Sequence, residues 1–198
     1  MPEYKLHYFD FHGGAGEPIR NAFRLAKIPF EDNRVKHADW PQLKTNNKCL
    51  YGQLPLLEID GQSFAQSMAI LRYVGKITGL YPADPIEALR VDELLESVID
   101  IRSKISATYS LPEPEKIAAR KKLAEEFIMP HLMRIDCRVQ TGGFNGFAVG
   151  DKLTIADLVL ANEVEGLRSG RLDGVESSIV DKAEALVKIA ANVKSALA

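Results

Sequence analysis

The chain has 198 residues, 46% of them hydrophobic and 26% charged, which suits an ordinary soluble globular protein of one large or two small domains. A formal net charge of −2 offers nothing to nucleic acid or to an anionic membrane surface, and neither a bilayer-spanning run nor a signal-peptide core after Met1 is expected. Two cysteines, Cys49 and Cys137, have neither redox-pair nor metal spacing, so a reducing cytoplasmic setting without a metal site is expected.

Residues 4–11 are rich in aromatics and alternate as a strand does, with Tyr4 and Tyr8 on one face. His12-Gly13-Gly14-Ala15-Gly16 reads as a flexible loop, and Glu17-Pro18 suits the first turn of a helix. Ile19, Ala22, Phe23, Ala26 and Ile28 carry a helical apolar face to about Lys27, where Pro29 stops it, and residues 30–36 read as a second strand. Trp40 and Lys44 lie four apart, on one face if that stretch is helical.

The run Gln53-Leu54-Pro55-Leu56-Leu57-Glu58-Ile59-Asp60-Gly61 puts a proline at the mouth of a strand and a hairpin turn after it. Proline favours a cis bond far more than other residues do, and it removes a backbone donor. Ser67 is the expected N-cap of a helix carrying Met68, Leu71, Tyr73, Val74 and Ile77, ended by Gly79. Gln66 and Ser67 would aim polar side chains and helix N-terminal amides at one point, a socket for a small peptide bearing a carboxylate. The first 82 residues thus read as a βαβ unit followed by ββα, a mixed sheet with a parallel pair and an antiparallel edge.

Beyond Pro82 the period becomes helical, over about 86–109, 113–139, 154–167 and 176–197, with Phe144 to Val149 ambiguous. Thr154 and Asp157 have capping-box spacing. Asp92, Glu96 and Asp100 line one helical face, which by itself is a solvated acidic stripe. Residues 1–82 carry ten basic and eight acidic side chains, residues 83–198 fifteen and nineteen. That asymmetry fits a small anionic ligand on the first half.

Five segments, in order along the chain, resemble the cytosolic glutathione S-transferases: Tyr4-Lys5-Leu6-His7-Tyr8-Phe9, Ala38-Asp39-Trp40-Pro41, Gly52-Gln53-Leu54-Pro55, Gln66-Ser67 and Leu153-Thr154-Ile155-Ala156-Asp157. The sigma class is the nearest, shared with glutathione-dependent prostaglandin D synthases and cephalopod lens S-crystallins. The resemblance implies a thioredoxin-like α/β domain over 1–82 that binds glutathione. It implies an all-α domain over 83–198 that forms a hydrophobic acceptor site and part of a homodimer interface. Glutathione enters as cosubstrate, a small hydrophobic electrophile is the second partner, and no metal or redox cofactor is needed.

On pattern alone Tyr8 is a packed strand aromatic. The resemblance instead gives its hydroxyl a hydrogen bond to the glutathione sulfur. A thiol with a pKa near ~8.5 is mostly protonated at neutral pH, whereas the thiolate is the nucleophile. Trp40 and Lys44, otherwise a half-buried indole beside a solvated lysine, are implied to reach the glycine carboxylate. Leu54, ahead of Pro55, offers its backbone N–H and C=O to the cysteinyl residue if the bond is cis, as an added strand pairs with an edge. Gln53 belongs to the same socket, Gln66 and Ser67 hold the γ-glutamyl end, and Asp100 reaches across the dimer to its amine.

Departures from the sigma pattern are specific. The loop Gly13-Gly14-Ala15-Gly16 is one residue longer and lacks the arginine found there in the class, so a guanidinium that could support the thiolate is absent from that position. Ala107 stands where the vertebrate prostaglandin synthase has an aromatic shelf, and Ile99 where it has an aspartate, which disfavours prostaglandin isomerisation. The acceptor pocket is expected at Phe9, the glycine loop, Arg102, Ile105 and Tyr109. Alternatives are a ligand-binding or crystallin-like relative without chemistry and a glutathione-dependent prostaglandin isomerase; a thioredoxin-type dithiol protein lacks its cysteine pair.

Overall fold

The computed structural model describes residues 2–45 and 49–198, and the chain divides after Tyr81 into two compact units. The first contains strands β1 (Tyr4–Phe9), β2 (Glu31–Val35), β3 (Leu56–Ile59) and β4 (Gln62–Ala65), with helices α1 (Glu17–Leu25), α2 (Trp40–Lys44) and α3 (Ser67–Thr78). The sheet order is β2-β1-β3-β4. β1 and β2 run parallel, with Tyr8 opposite Arg34, whereas the β1–β3 and β3–β4 pairs are antiparallel. The α1 crossover permits the parallel pair, and the Asp60-Gly61 turn makes the antiparallel edge. Both turn residues have positive φ, 49° and 82°, as the favoured hairpin turn requires.

Alternation decides which face is dry. Tyr4, Leu6 and Tyr8 of β1 are buried, while Lys5, His7 and Phe9 are half-buried on the other side. Ile19, Ala22 and Phe23 of α1 and Leu71 and Val74 of α3 complete the core with Leu57, and the Tyr4 and Phe23 rings meet at 5.3 Å. This is a thioredoxin-like arrangement.

The second unit is helical: α4 (Pro85–Ser106), α5 (Glu113–Leu123), α6 (Met129–Thr141), α7 (Ile155–Arg168) and α8 (Glu184–Ala196). Helix α7 is its axis, with Ile155, Leu158, Val159 and Val164 fully buried. Its start is tied down by Asp157, whose carboxylate accepts the Thr154 N–H and Oγ1–H, each at 2.8 Å, and the Ala148 N–H at 2.7 Å. Burial pushes the Asp157 carboxyl above the usual carboxylate range, and these hydrogen bonds oppose that shift.

The structure corrects several local expectations. Gln66, at φ 74° and ψ 104°, is the N-cap of α3, and Ser67 is its first helical residue. Between Glu113 and Thr141 a π-helical turn, Ala124–Ile128, joins α5 to α6, with the Met129 N–H bonded to the Ala124 carbonyl. It precedes Pro130, whose ring and missing N–H disrupt ordinary i→i−4 bonding. Residues 144–149 contain no strand, since Gly143, Gly146 and Gly150 all take positive φ. The segment expected as one helix from 176 begins with a 3₁₀ turn, Ser177–Val180, before α8; paired serines compete locally for backbone hydrogen bonds.

His7 gives the sheet a pH dependence. Its Nδ1 lies 2.6 Å from Asn33 Nδ2, and its Nε2 lies 3.1 Å from Glu58 Oε1. Burial lowers its pKa below 6.5 and outweighs the upward pull of Glu58. As pH falls through about 6.5, the unfolded chain takes up the proton first, so the folded state loses stability in that window. Urea denaturation at pH 7.5 and pH 5.5 should show a smaller acid-side loss in His7→Gln than in the parent.

Candidate active site

Tyr8 is fixed from three directions. Its ring lies 5.7 Å from Phe9 and 5.6 Å from Phe11, and its hydroxyl accepts the Ala15 N–H at 2.9 Å. The loop between β1 and α1, expected to be flexible, is packed onto this tyrosine. A Cβ at Gly14 would stand 2.5 Å from the Tyr8 hydroxyl, and one at Gly16 would stand 2.5 Å from Tyr8 Cγ and Cδ1. Only glycine lets the backbone come this close. Tyr4, on the same face, differs: its hydroxyl lies 3.4 Å from that of Tyr73, and this contact together with burial pushes its pKa up to about 12. Of the two tyrosines, Tyr8 is the one held by a backbone amide beside a glycine loop.

Arg20, not foreseen as a site residue, underlies this arrangement. It is fully buried, and its guanidinium lies 5.6 Å from the Tyr8 ring centroid. Nε meets Asp32 at 2.9 Å and Nη1 meets Glu17 at 3.1 Å, while the carbonyls of Phe11 and Phe9 accept from Nη1 and Nη2 at 3.3 and 3.4 Å. Although the loop lacks an arginine, a guanidinium from α1 therefore stands beside the Tyr8 ring. Its sequence signal is a cation inside an apolar helical face, between Ile19 and Ala22.

A second group of residues lines a cleft of about 70 Å³: Gln53, Leu54, Pro55, Gln66 and Ser67, with Tyr51 and Ala65. The Leu54–Pro55 bond is cis. Gln66 is exposed, and its positive φ is uncommon for a side chain of this size. Such a conformation persists only where its surroundings impose it, often at a ligand clamp. The Gln66 side chain makes no cap hydrogen bond at the start of α3, where first-turn amides suit a carboxylate.

Trp40 opens α2 and packs edge-on against Phe9 at 5.5 Å, and Phe9 in turn stacks on His37 at 4.7 Å. The Lys44 stem runs beside Gly52, the residue before Gln53, with Cε 3.5 Å from where a Cβ would be. Of the expected site residues, the structure gathers five in the cleft, sets Lys44 beside that segment, and holds Tyr8 and Trp40 on either side of Phe9. Asp100 is an exposed residue of α4 in the helical unit. Arg102 and Ile105 are on the same helix, and Tyr109 follows its end.

A thioredoxin-like domain with a tyrosine at the end of β1 and a cis-proline cleft, followed by a helical domain, defines a class of two-domain glutathione-dependent proteins. Residues 4–76 match the glutathione S-transferase N-terminal domain and residues 99–196 its C-terminal domain. Glutathione S-transferase 1 of Ascaris suum is 37% identical over 173 residues, 85% of this chain and 82% of that protein. The prostaglandin synthase D structure from Nilaparvata lugens superposes with a TM-score of 0.87 at 33% identity, covering 98% of this chain and 93% of that one. A monomeric glutathione S-transferase of the hookworm Necator americanus superposes at 0.78 with 32% identity, over 98% and 94%. The chain belongs to the glutathione S-transferase family. It is an enzyme, and its reaction is glutathione conjugation.

Gly16→Ala tests the close packing of loop on tyrosine. Its φ of −85° is open to alanine, so the cost comes from the ring contact, about 1–3 kcal/mol. Thermal denaturation should register that loss, and turnover should fall by more than the fraction unfolded, because the Tyr8 ring must shift.

Proposed function

We propose that reduced glutathione lies with its γ-glutamyl end at Gln66 and Ser67 and its cysteinyl backbone against Leu54. Its glycine carboxylate meets Trp40 and Lys44, and its sulfur faces Tyr8. Gln53 and Pro55 shape the same cleft. The indole N–H and the ammonium are donors suited to a carboxylate, and the α3 amides add to the pull on the γ-glutamyl carboxylate. Asp100 of the partner subunit completes the site at the γ-glutamyl amine. In this reading the protein is a sigma-like, homodimeric, cytoplasmic enzyme of detoxification.

The observation that carries the mechanism is the Ala15 N–H held on the Tyr8 hydroxyl at 2.9 Å. A hydroxyl that accepts one hydrogen bond becomes a stronger donor in another. Donation to the sulfur stabilises thiolate over thiol and lowers the thiol pKa, with each unit worth about 1.4 kcal/mol. The thiolate attacks an electrophilic carbon of a largely apolar acceptor; a new sulfur–carbon bond forms, and the leaving group departs with its electron pair. Lowering one pKa and aligning two reactants supply the catalysis.

The homodimer reading has its own support. Tyr51 is 77% exposed, and Leu50 and Phe64 are also exposed. They border an apolar groove of about 370 Å³ floored by Leu57, Ile59, Ala69, Ile70 and Tyr73. A protruding aromatic beside an apolar groove on one surface is self-complementary, as a two-fold interface requires.

Two measurements test these readings. Tyr8→Phe should still be retained on immobilised glutathione, yet the bound thiol pKa should rise by about 1–2 units and turnover of 1-chloro-2,4-dinitrobenzene should fall roughly tenfold or more. Full turnover with a low thiol pKa in that variant would remove Tyr8 from the mechanism. In sedimentation velocity the parent should run as a dimer and Tyr51→Ala should shift towards monomer; a monomeric parent rejects the interface.

A further inference from the structure

Three ring side chains of the first unit meet on Phe9. Tyr8 lies edge-on to it at 5.7 Å and Trp40 edge-on at 5.5 Å, while the His37 imidazole stacks on it at 4.7 Å with 19° between the planes. In the proposed binding mode Tyr8 serves the sulfur and Trp40 the glycine carboxylate, whereas His37 serves neither.

The two site residues on Phe9 differ in what else holds them. Tyr8 has a second ring against it, Phe11, a backbone N–H on its hydroxyl and the Arg20 guanidinium over its face. Trp40 is half-buried and opens α2, a helix of five residues with no buried side chain, and the Asp39 side chain at its N-cap makes no cap hydrogen bond. So short a helix is not stable by itself, and its place depends on what its side chains touch. Among the described residues Phe9 is the one ring that the indole meets. His37 grips the same ring in the stacked geometry that aromatic pairs favour, and its carbonyl accepts the Trp40 N–H at 3.4 Å. Backbone and ring thus reach Trp40 from one residue.

We propose that His37 is a positioning residue for glutathione: its imidazole holds the Phe9 ring so that the Trp40 indole N–H stands where the glycine carboxylate arrives. This deepens the transferase reading and rests on it. The effect falls on one end of the peptide. Loss of the imidazole frees Phe9 beneath Trp40, whereas Tyr8 keeps Phe11, the Ala15 N–H and Arg20.

The test compares glutathione with its glycine monoethyl ester, which lacks that carboxylate, at saturating 1-chloro-2,4-dinitrobenzene. In His37→Ala the KM for glutathione should rise about threefold to tenfold, while kcat and the pKa of the bound thiol keep their parent values. The acid-to-ester ratio of kcat/KM should fall by the same factor, whereas a fold that is merely weakened lowers acid and ester alike. His37 is exposed, so its removal opens no cavity, and position 37 still offers Trp40 a backbone carbonyl. His37→Phe, which restores a stacking ring, should recover most of the ratio. An unchanged ratio in His37→Ala, or no recovery in His37→Phe, overturns the proposal alone. A parent that uses acid and ester equally also overturns it, because no carboxylate contact is then left to position. If the parent is neither retained on immobilised glutathione nor active, the transferase reading falls and this proposal with it.

Discussion

A guanidinium buried without access to water must be neutralised and hydrogen-bonded where it stands. Arg20 meets that requirement by drawing in Glu17 from its own helix, Asp32 from β2 and two carbonyls from the end of β1 and the loop after it. The chain of charge continues outwards, with Arg24 on Glu17 at 2.9 Å and Arg34 on Asp32 at 3.0 Å. Removing both Glu17 and Asp32 would leave an uncompensated charge in the core. The relation between β1, its glycine loop, α1 and β2 is therefore fixed electrostatically as well as by packing, and Tyr8 stands on that frame.

The two parts of the site are held by different physics. Tyr8 is positioned by close packing, with a glycine backbone and aromatic rings leaving it little room. The cleft at Gln53, Leu54, Gln66 and Ser67 is positioned by backbone conformation: a cis peptide on one side and a positive-φ residue on the other. Side-chain packing suits the role proposed for Tyr8, which asks it to hold one atom against a sulfur. Exposed backbone and polar side chains suit the recognition of a peptide, whose own N–H and C=O groups need partners.

Sequence legibility follows the range of the interactions. The Asp60-Gly61 hairpin, the αL glycine after α3 and the Thr154–Asp157 cap are local, and local rules read them. The expected cap at Ser67 fell one residue late because the constraint at Gln66 comes from the β4–α3 junction and not from cap propensity. The glycine loop looked flexible because its packing partner, Tyr8, is seven positions from Ala15 and on another element. The ion pair between Arg102 of α4 and Glu163 of α7 spans 61 positions, and nothing in either neighbourhood marks the other. The site residues follow from family resemblance, whereas Arg20 shows locally only as a cation within an apolar helical face, and its place behind Tyr8 depends on how α1 meets β1.

The π-helical turn between α5 and α6 acts as a phase shifter. It accommodates an extra residue in what remains a continuous rod, so everything after Ile128 is rotated by about 100° about the axis relative to an uninterrupted α-helix. That rotated face is the one on which Leu132 and Ile135 are buried and from which Asp136 accepts the Leu186 N–H of α8 at 3.1 Å. Residue spacing across 113–141 therefore cannot be projected on a single helical wheel. Removing the extra residue and closing the turn to α geometry would keep this face towards α8, but it would leave Pro130 inside an ordinary α-helix, where its missing N–H and its ring disrupt the i→i−4 bonding.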